Sequence, residues 1–357
     1  MSRRPRRVHV VVPDGVDDPA RPSGGNTYDR RLCDGLRELG WQVTEHQVPG
    51  AWPEPDAVAL SALAGMLARL PDGAIVVVDG LVASPSPGPL VPEARRLRLV
   101  LLVHLPLMAT DVGDEVADAE AAVLASAAAI ITTSAWTKDL LVQHFSLSVD
   151  EVHVAEPGVV AADEALCSES GGQLLCVAAV TPLKGHDVLA RALAHVADLS
   201  WQCRFVGPVD RDPAFTAGLA DLIHAAGLEH RITFTGPLTG EALGNAYAAT
   251  DLLVAPSRTE TFGLVVTEAL ARGIPVLTTT AGGLPGAFGS TPDGTRPGLL
   301  VPPGNPAVLG AALRDWLRDA RLRLRLREAA RERRRALRTW GDTASDVAGV
   351  LEGLPVG

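Results

Sequence analysis

Two glutamates eight positions apart, Glu260 and Glu268, and one lysine, Lys184, have types and spacing suited to a charged ligand rich in hydroxyls. The run from Asp251 to Pro256 reads as a buried parallel strand, ended by Pro256 and the polar residues after it. Glu260 therefore falls beyond the carboxyl end of that strand, the edge at which open parallel sheets hold ligands. From Phe262 the apolar spacing becomes helical, Gly273 supplies a stop and Ile274 to Leu277 starts the next strand, so Glu268 falls on the helix. Backbone N–H groups at Phe262, Gly263 and Leu264 would face an anion or a hydroxyl at the start of that helix. Lys184 lies in the loop from Thr181 to Asp187, after a strand over 173–178. A lysine facing those amides makes a phosphate site, and two carboxylates accept hydrogen bonds from vicinal hydroxyls. This chemistry suits a nucleoside diphosphate sugar, with the diphosphate between Lys184 and the amides, one glutamate on a ribose and the other on the transferred sugar.

The elements that must hold these residues form two successive arrays of alternating strands and helices. In the first, a strand over 8–12 leads through the loop Pro13 to Gly25 to a helix phased on Tyr28, Leu32, Leu36 and Leu39. Gly24 and Gly25 sit at that strand-to-helix crossing, either as a turn or to let the backbone approach a phosphate or sugar. The pattern is not G-x-G-x-x-G, so the dinucleotide fingerprint is missing. A second apolar strand over 98–103 ends at His104, which is either a residue facing the ligand edge or a structural histidine. Pro85 to Pro92 reads as a loop. The predicted domains are residues 1–160, an acidic, small-residue linker over 161–172, a second domain over 173–335, and a terminal helix over 336–357 that packs back on the first. The expected fold is α/β, two Rossmann-like domains facing each other across a cleft.

Bulk composition narrows the function classes. A formal charge of −10 over 357 residues argues against general affinity for nucleic acid or anionic lipid. The arginine-dense stretch Arg314 to Arg338 is read as a solvated helix face, with contact to a membrane or a partner the disfavoured alternative. The four cysteines lack metal-ligand spacing and read as reduced core residues, so no metal site is expected. No apolar run approaches the roughly eighteen residues that span a bilayer, and a soluble, cytoplasmic protein is expected.

The segment Ser257 to Leu264, continuing through Glu268 to Val276, resembles the E-x7-E signature of family-4 retaining glycosyltransferases of the GT-B fold. Further similarity lies in Pro182 to Asp187, Phe205-Val206-Gly207, Gly282-Gly283, Gly298 to Gly304, Gly24-Gly25, His104, Ser134 and Pro157-Gly158, and it covers nearly the whole chain. The resemblance implies a retaining, metal-independent enzyme that moves a sugar from a UDP- or GDP-linked donor to a hydroxyl or amine of a small-molecule or glycoconjugate acceptor. No cofactor is implied beyond that co-substrate. Glu268 would bind the ribose, Glu260 the donor sugar, Lys184 the diphosphate, and the Phe262, Gly263 and Leu264 amides the sugar or phosphate. His104 would touch the sugar from the first domain, which Gly24 and Gly25 would let close on the phosphates. Two positions depart from the family pattern: Ala179 replaces an arginine before the lysine, and Gly286 replaces a glutamate after Gly-Gly-Leu-Pro. Arg258 is the candidate to replace the missing phosphate contact. The competing reading is a catalytically altered homologue that binds a nucleotide sugar or regulates a partner; an oxidoreductase is disfavoured by the absent glycine fingerprint.

Overall fold

The computed structural model describes residues 6–109 and 114–355. The loop after His104 therefore lies partly outside the described residues. Contacts divide the chain into two units, one holding the chain to Asp17, Ser23–Gly158 and everything from Trp340, the other Asp18–Pro22 and Val159–Thr339. The first unit contains β1 (Arg7–Pro13), α1 (Gly24–Glu38), β2 (Gln42–Val48), α2 (Ala57–Leu67), β3 (Ile75–Asp79), α3 (Gly80–Ala83), α4 (Pro87–Glu93), β4 (Arg98–Val103), α5 (Asp114–Ser126), β5 (Ala129–Thr132), α6 (Ala135–Phe145) and β6 (Val152–Val154). The second contains β7 (Gln173–Val177), α7 (His186–Ala194), β8 (Gln202–Val206), α8 (Pro213–Ala225), β9 (Ile232–Gly236), α9 (Gly240–Ala248), β10 (Leu252–Ala255), α10 (Leu264–Leu270), β11 (Val276–Thr279), α11 (Leu284–Phe288), β12 (Gly298–Val301), α12 (Pro306–Arg318) and α13 (Ala320–Arg334). The last helix, α14 (Trp340–Gly353), belongs to the first unit and lies on α1, where a Cβ on Gly35 would come within 2.5 Å of the Ala344 Cβ.

Each unit is built on a parallel six-stranded sheet with both faces covered, which is why its strands read as unbroken apolar runs. Val8, Val10 and Val12 face one core of the first unit while Val11 faces the other, and β3 divides Ile75 and Val77 from Val76 and Val78 in the same way. In the second unit Leu174 and Cys176 are separated from Leu175 by the same alternation. The sheet orders are β2-β1-β3-β4-β5-β6 and β12-β11-β10-β7-β8-β9. Strand order reverses between β1 and β3 in the first and between β7 and β10 in the second. Connections leave such a point in opposite directions and open a crevice at the carboxyl ends of the strands.

Several segments differ from the sequence expectation. Helix α1 starts at Gly24, four residues ahead of Tyr28, because Ser23 caps it by accepting from the Asn26 N–H at 3.0 Å. Pro85 to Pro92 is largely helical: α3 is capped by Asp79, and Pro87 fits the first turn of α4, where its missing N–H has no intrahelical partner to lose. The residues expected as a linker are docked on the second unit, with the buried Ala165 donating its N–H to Arg272 O at 2.9 Å. Nor is the arginine-rich stretch a solvated face alone. Buried Arg323 donates to Trp316 O, Leu317 O and Glu169 O, Arg327 to Ser168 O and Asp251, and Arg331 and Arg334 pair with Glu164. The acidic strap and the basic helix are complements, and most of this basic charge is spent inside the unit. No helix among the described residues is long and apolar enough to cross a membrane.

Asp251 anchors that strap. It is 1% exposed and accepts from the Ser168 N–H, the Ser168 hydroxyl, the Gln173 N–H and Arg327. Asp251→Ala leaves several buried donors unpaired and should cost about 3 kcal/mol. Denaturant unfolding followed by the fluorescence of Trp201 and Trp316, both in the second unit, checks this value.

Candidate functional site

Lys184 and Glu260 emerge on either side of the β7/β10 reversal and meet there, Lys184 Nζ lying 2.6 Å from Glu260 Oε2. Their loops are locked together. Gly185 is left-handed at φ +71°, and a Cβ there would stand 2.2 Å from Pro256 O, so only glycine lets the lysine loop press on the exit of β10. Arg258 donates its backbone N–H to Leu183 O at 2.8 Å, and its guanidinium forks onto Asp187 at 2.8 and 2.7 Å while also reaching Pro182 O. On the other side Gly283 donates to Glu260 O at 2.8 Å, and a Cβ on Gly282 would fall 1.9 Å from that oxygen. The glutamate is thus held through its backbone by the loop after β11 and through its carboxylate by Lys184.

The predicted residues distribute as follows. Glu268, on α10, is held by Tyr247, whose hydroxyl donates to Oε2 at 2.7 Å. Arg272 donates to Glu268 O at 2.8 Å and lies over the Tyr247 ring, 4.6 Å from its centroid. Burial pushes the Glu268 carboxyl up, against the Tyr247 hydrogen bond and the charge of Arg272. Phe262 is buried, Gly263 caps α10 at φ +99°, and Leu264 opens the helix, whose first N–H groups have no intrahelical acceptor. Arg258 does not present a free guanidinium: its planar fork is occupied by Asp187, which it holds below the usual carboxylate range despite partial burial. The expected replacement for the arginine missing at Ala179 is therefore a residue that positions the Lys184 loop.

In the first unit, His104 follows β4 and its Nε2 lies 2.8 Å from Asp29 Oδ1 and 3.5 Å from Asp79 Oδ2. Asp29 is in the second turn of α1 and Asp79 ends β3, so all three stand at the β1/β3 reversal. Gly24 and Gly25 form the first turn of α1, and the space a Gly25 Cβ would take is 3.2 Å from His104 Cδ2. The close approach that this glycine permits is that of the histidine ring. Ser134 caps α6 by accepting from the Thr137 N–H at 3.1 Å.

A family model described as "Glycosyl transferases group 1" matches residues 164–333. A D-inositol 3-phosphate glycosyltransferase from Streptomyces avermitilis is 34% identical over 250 residues, 65% of this chain and 53% of the relative. D-inositol 3-phosphate glycosyltransferase 1 from Catenulispora acidiphila is 31% identical over 320 residues, 81% of this chain and 74% of the relative. The chain belongs to the group 1 glycosyltransferases. It spans about half the length of the Streptomyces relative. Sucrose-phosphate synthase from Thermosynechococcus elongatus superposes with a TM-score of 0.80 at 21% identity, over 98% of this chain and 99% of that one. Anabaena HepE, solved in complex with UDP and glucose, superposes at 0.77 with 17% identity, over 97% and 99%. These likenesses show the fold, and the two parallel sheets of this group 1 glycosyltransferase are those of GT-B.

Asp29, Asp79, Tyr247 and Asp187 escaped the sequence reading. Asp29 had a signal, since it shares the buried face of α1 with Cys33 and Leu36, where a charge is anomalous. Among the described residues, Asp29, Asp79 and His104 are the group whose potential metal-ligand atoms lie within 4.8 Å of one another. Burial pushes the Asp29 carboxyl up to about 7 and Asp79 well above the usual range, while it pushes the His104 imidazole down against the pull of Asp79. The folded chain thus keeps a proton on the Asp29–Asp79 pair at a pH where the unfolded chain, with the ordinary value of 3.8, has released it. That contribution is complete below the unfolded value and is lost as pH rises through about 7. His104 acts with the opposite sign, costing stability as pH falls below its ordinary 6.5. Asp29→Asn removes the first contribution and, because Asp29 also helps to raise Asp79, part of the Asp79 contribution of the same sign. Wild type should therefore lose stability relative to Asp29→Asn as pH rises from about 5 to about 8, which thermal melts of both proteins across that range will read.

Proposed function

We propose that this group 1 glycosyltransferase transfers a sugar, with retention and without a metal, from a UDP- or GDP-linked donor to a hydroxyl or amine of a small-molecule or glycoconjugate acceptor. The observation that carries the reading is the Lys184–Glu260 pair at the β7/β10 reversal, beside the start of α10. Lys184 keeps two N–H donors beyond the one given to Glu260, enough to meet a diphosphate oxygen. The first amides of α10 add donors and a favourable dipole for the same anion. Glu260, held at both ends, accepts from hydroxyls of the transferred sugar, and Glu268, set by Tyr247, from those of the ribose. Departure of the diphosphate builds negative charge on the leaving oxygens, and fixed donors that meet it lower the barrier without reorganising. The leaving phosphate then assists removal of the acceptor proton.

Support for the donor class comes from the fold shared with a protein solved with UDP and glucose. The names of the two reported relatives make inositol phosphates the first acceptors to try. A second reading, nucleotide-sugar binding without turnover, is favoured by Ala179 together with the occupied guanidinium of Arg258.

Offered UDP- and GDP-sugars with a panel of acceptors, the purified chain should release nucleoside diphosphate, and Glu260→Gln should lower kcat/KM on the order of a hundredfold. Binding that no acceptor converts to turnover would favour the second reading, and no binding of any donor would sink both. Tyr247→Phe should weaken UDP or GDP binding roughly tenfold by releasing Glu268, yet leave the 2′,3′-dideoxy nucleotide unaffected. Calorimetric titration of both ligands on both proteins checks this, and equal weakening of the two would contradict the ribose assignment.

A further inference from the structure

We infer that Asp29 and Asp79 are positioning residues that share one proton between their carboxyls and fix His104 as its Nε2–H tautomer, leaving Nδ1 to accept a hydrogen bond from a substrate hydroxyl. The substrate half of this inference rests on the sugar-transfer reading; the tautomer half does not.

Geometry supplies the argument. Asp29 is 1% exposed and Asp79 3%. Asp79 Oδ1 accepts from the Leu81 N–H at 2.6 Å at the start of α3, and Asp29 Oδ1 faces His104 Nε2 at 2.8 Å. The remaining Asp29 oxygen, Oδ2, is buried and meets no N–H or hydroxyl. Yet one oxygen of each carboxyl and a ring nitrogen of His104 all lie within 4.8 Å of one another. Two buried carboxylates at that range cannot both stay ionised, and one proton between them satisfies both. Once that proton is on the Asp29–Asp79 edge, Asp29 Oδ1 can only accept, so Nε2 must carry the hydrogen that joins them. Burial disfavours the imidazolium, which leaves Nδ1 with its lone pair.

The other groups that face the cluster do not change this assignment. Arg30, on α1, is a cation whose charge reaches Asp29, but its guanidinium is engaged by Asp17 and Glu45. Cys33, one turn beyond Asp29, has its thiol pushed up to about 12 by burial and then by the charge of Asp29, and stays neutral. Tyr28 meets the His104 ring edge-on, 5.0 Å between centroids, and gives its hydroxyl to Ala155 O at 2.9 Å. His104 is 14% exposed in its side chain, so it is the member of the cluster that reaches the surface. A divalent cation on the same three residues would need both carboxylates ionised and a lone pair on Nε2, the opposite tautomer, so the two occupants are separable by one observation.

The test is a long-range 1H–15N correlation spectrum of histidine rings in the 15N-labelled full chain, with His104 assigned by the signal lost in His104→Gln. Nε2 protonated and Nδ1 unprotonated from pH 6 to 8 is the expected result. Asp29→Ala should release the ring to mixed tautomers, and Asp29→Asn, whose amide oxygen still accepts, should restore the Nε2–H form. In turnover, Asp29→Ala should lower kcat/KM about tenfold, with partial recovery in Asp29→Asn and no further loss when Asp29→Ala is added to His104→Ala. A His104 that titrates near its ordinary value in wild type, or an Nδ1–H tautomer, overturns the proposal. So does loss of the Nε2 proton on adding Mg, Mn or Zn ions in stoichiometric amounts, which makes the cluster a metal site. The wild-type spectrum decides even where Asp29→Ala fails to fold. The expected tautomer in a chain that turns over no donor counts against the sugar-transfer reading and supports the cluster.

Discussion

The bidentate contact of Arg258 with Asp187 is the interaction on which the ligand edge of the second unit depends. It joins the loop after β10 to the start of α7 across 71 residues of sequence, with the Arg258 amide on Leu183 O alongside it. Between these two fastenings sits Lys184, whose position is thereby set by residues on both sides of the strand reversal. A planar fork on a carboxylate fixes orientation as well as distance, which a lysine at 258 could not do. The ammonium of Lys184 then has a defined place from which to meet Glu260 and an anionic ligand together. The Arg258 guanidinium is engaged by Asp187 and position 179 is alanine, so Lys184 is the cation that this loop sets beside Glu260.

A common logic places both clusters. Each sheet reverses its strand order once, and at that point the loops of neighbouring strands part. In the second unit the loops after β7 and β10 bring Lys184 to Glu260; in the first, α1 and the ends of β3 and β4 bring Asp29, Asp79 and His104 together. The two clusters differ in solvation, and their chemistry differs with it. Lys184 and Glu260 are partly exposed and form an ion pair, whereas the two aspartates are almost wholly buried and must dispose of a charge by sharing a proton.

How much of this was legible in the sequence follows from which interactions are local. The strands could be read because both faces of each sheet are covered, so β3 and β4 are unbroken apolar runs. Glu260, Glu268 and the start of α10 share one stretch of chain, and Lys184 carries its own loop signature. The partners of these residues are distant in sequence and left no local trace. Nothing near Arg258 announces Asp187, and nothing near Glu268 announces Tyr247. The strap over 161–172 read as a linker because its small and acidic residues have no apolar period. Its order comes from Asp251 and from arginines of α13 that approach it from more than 150 residues away. Pro87 suggested a loop because proline breaks helices in their interior, but at the first turn of α4 it costs no hydrogen bond.

The proposal that the β7/β10 reversal is a nucleoside diphosphate sugar site is tested most directly by a crystal structure of the full chain with a UDP- or GDP-sugar bound. The expected result is the diphosphate on Lys184 Nζ and the first amides of α10, with the ribose hydroxyls on Glu268 and the sugar hydroxyls on Glu260. A nucleotide seated elsewhere, or one whose ribose lies away from Glu268 while the Lys184–Glu260 pair stays untouched, would contradict it.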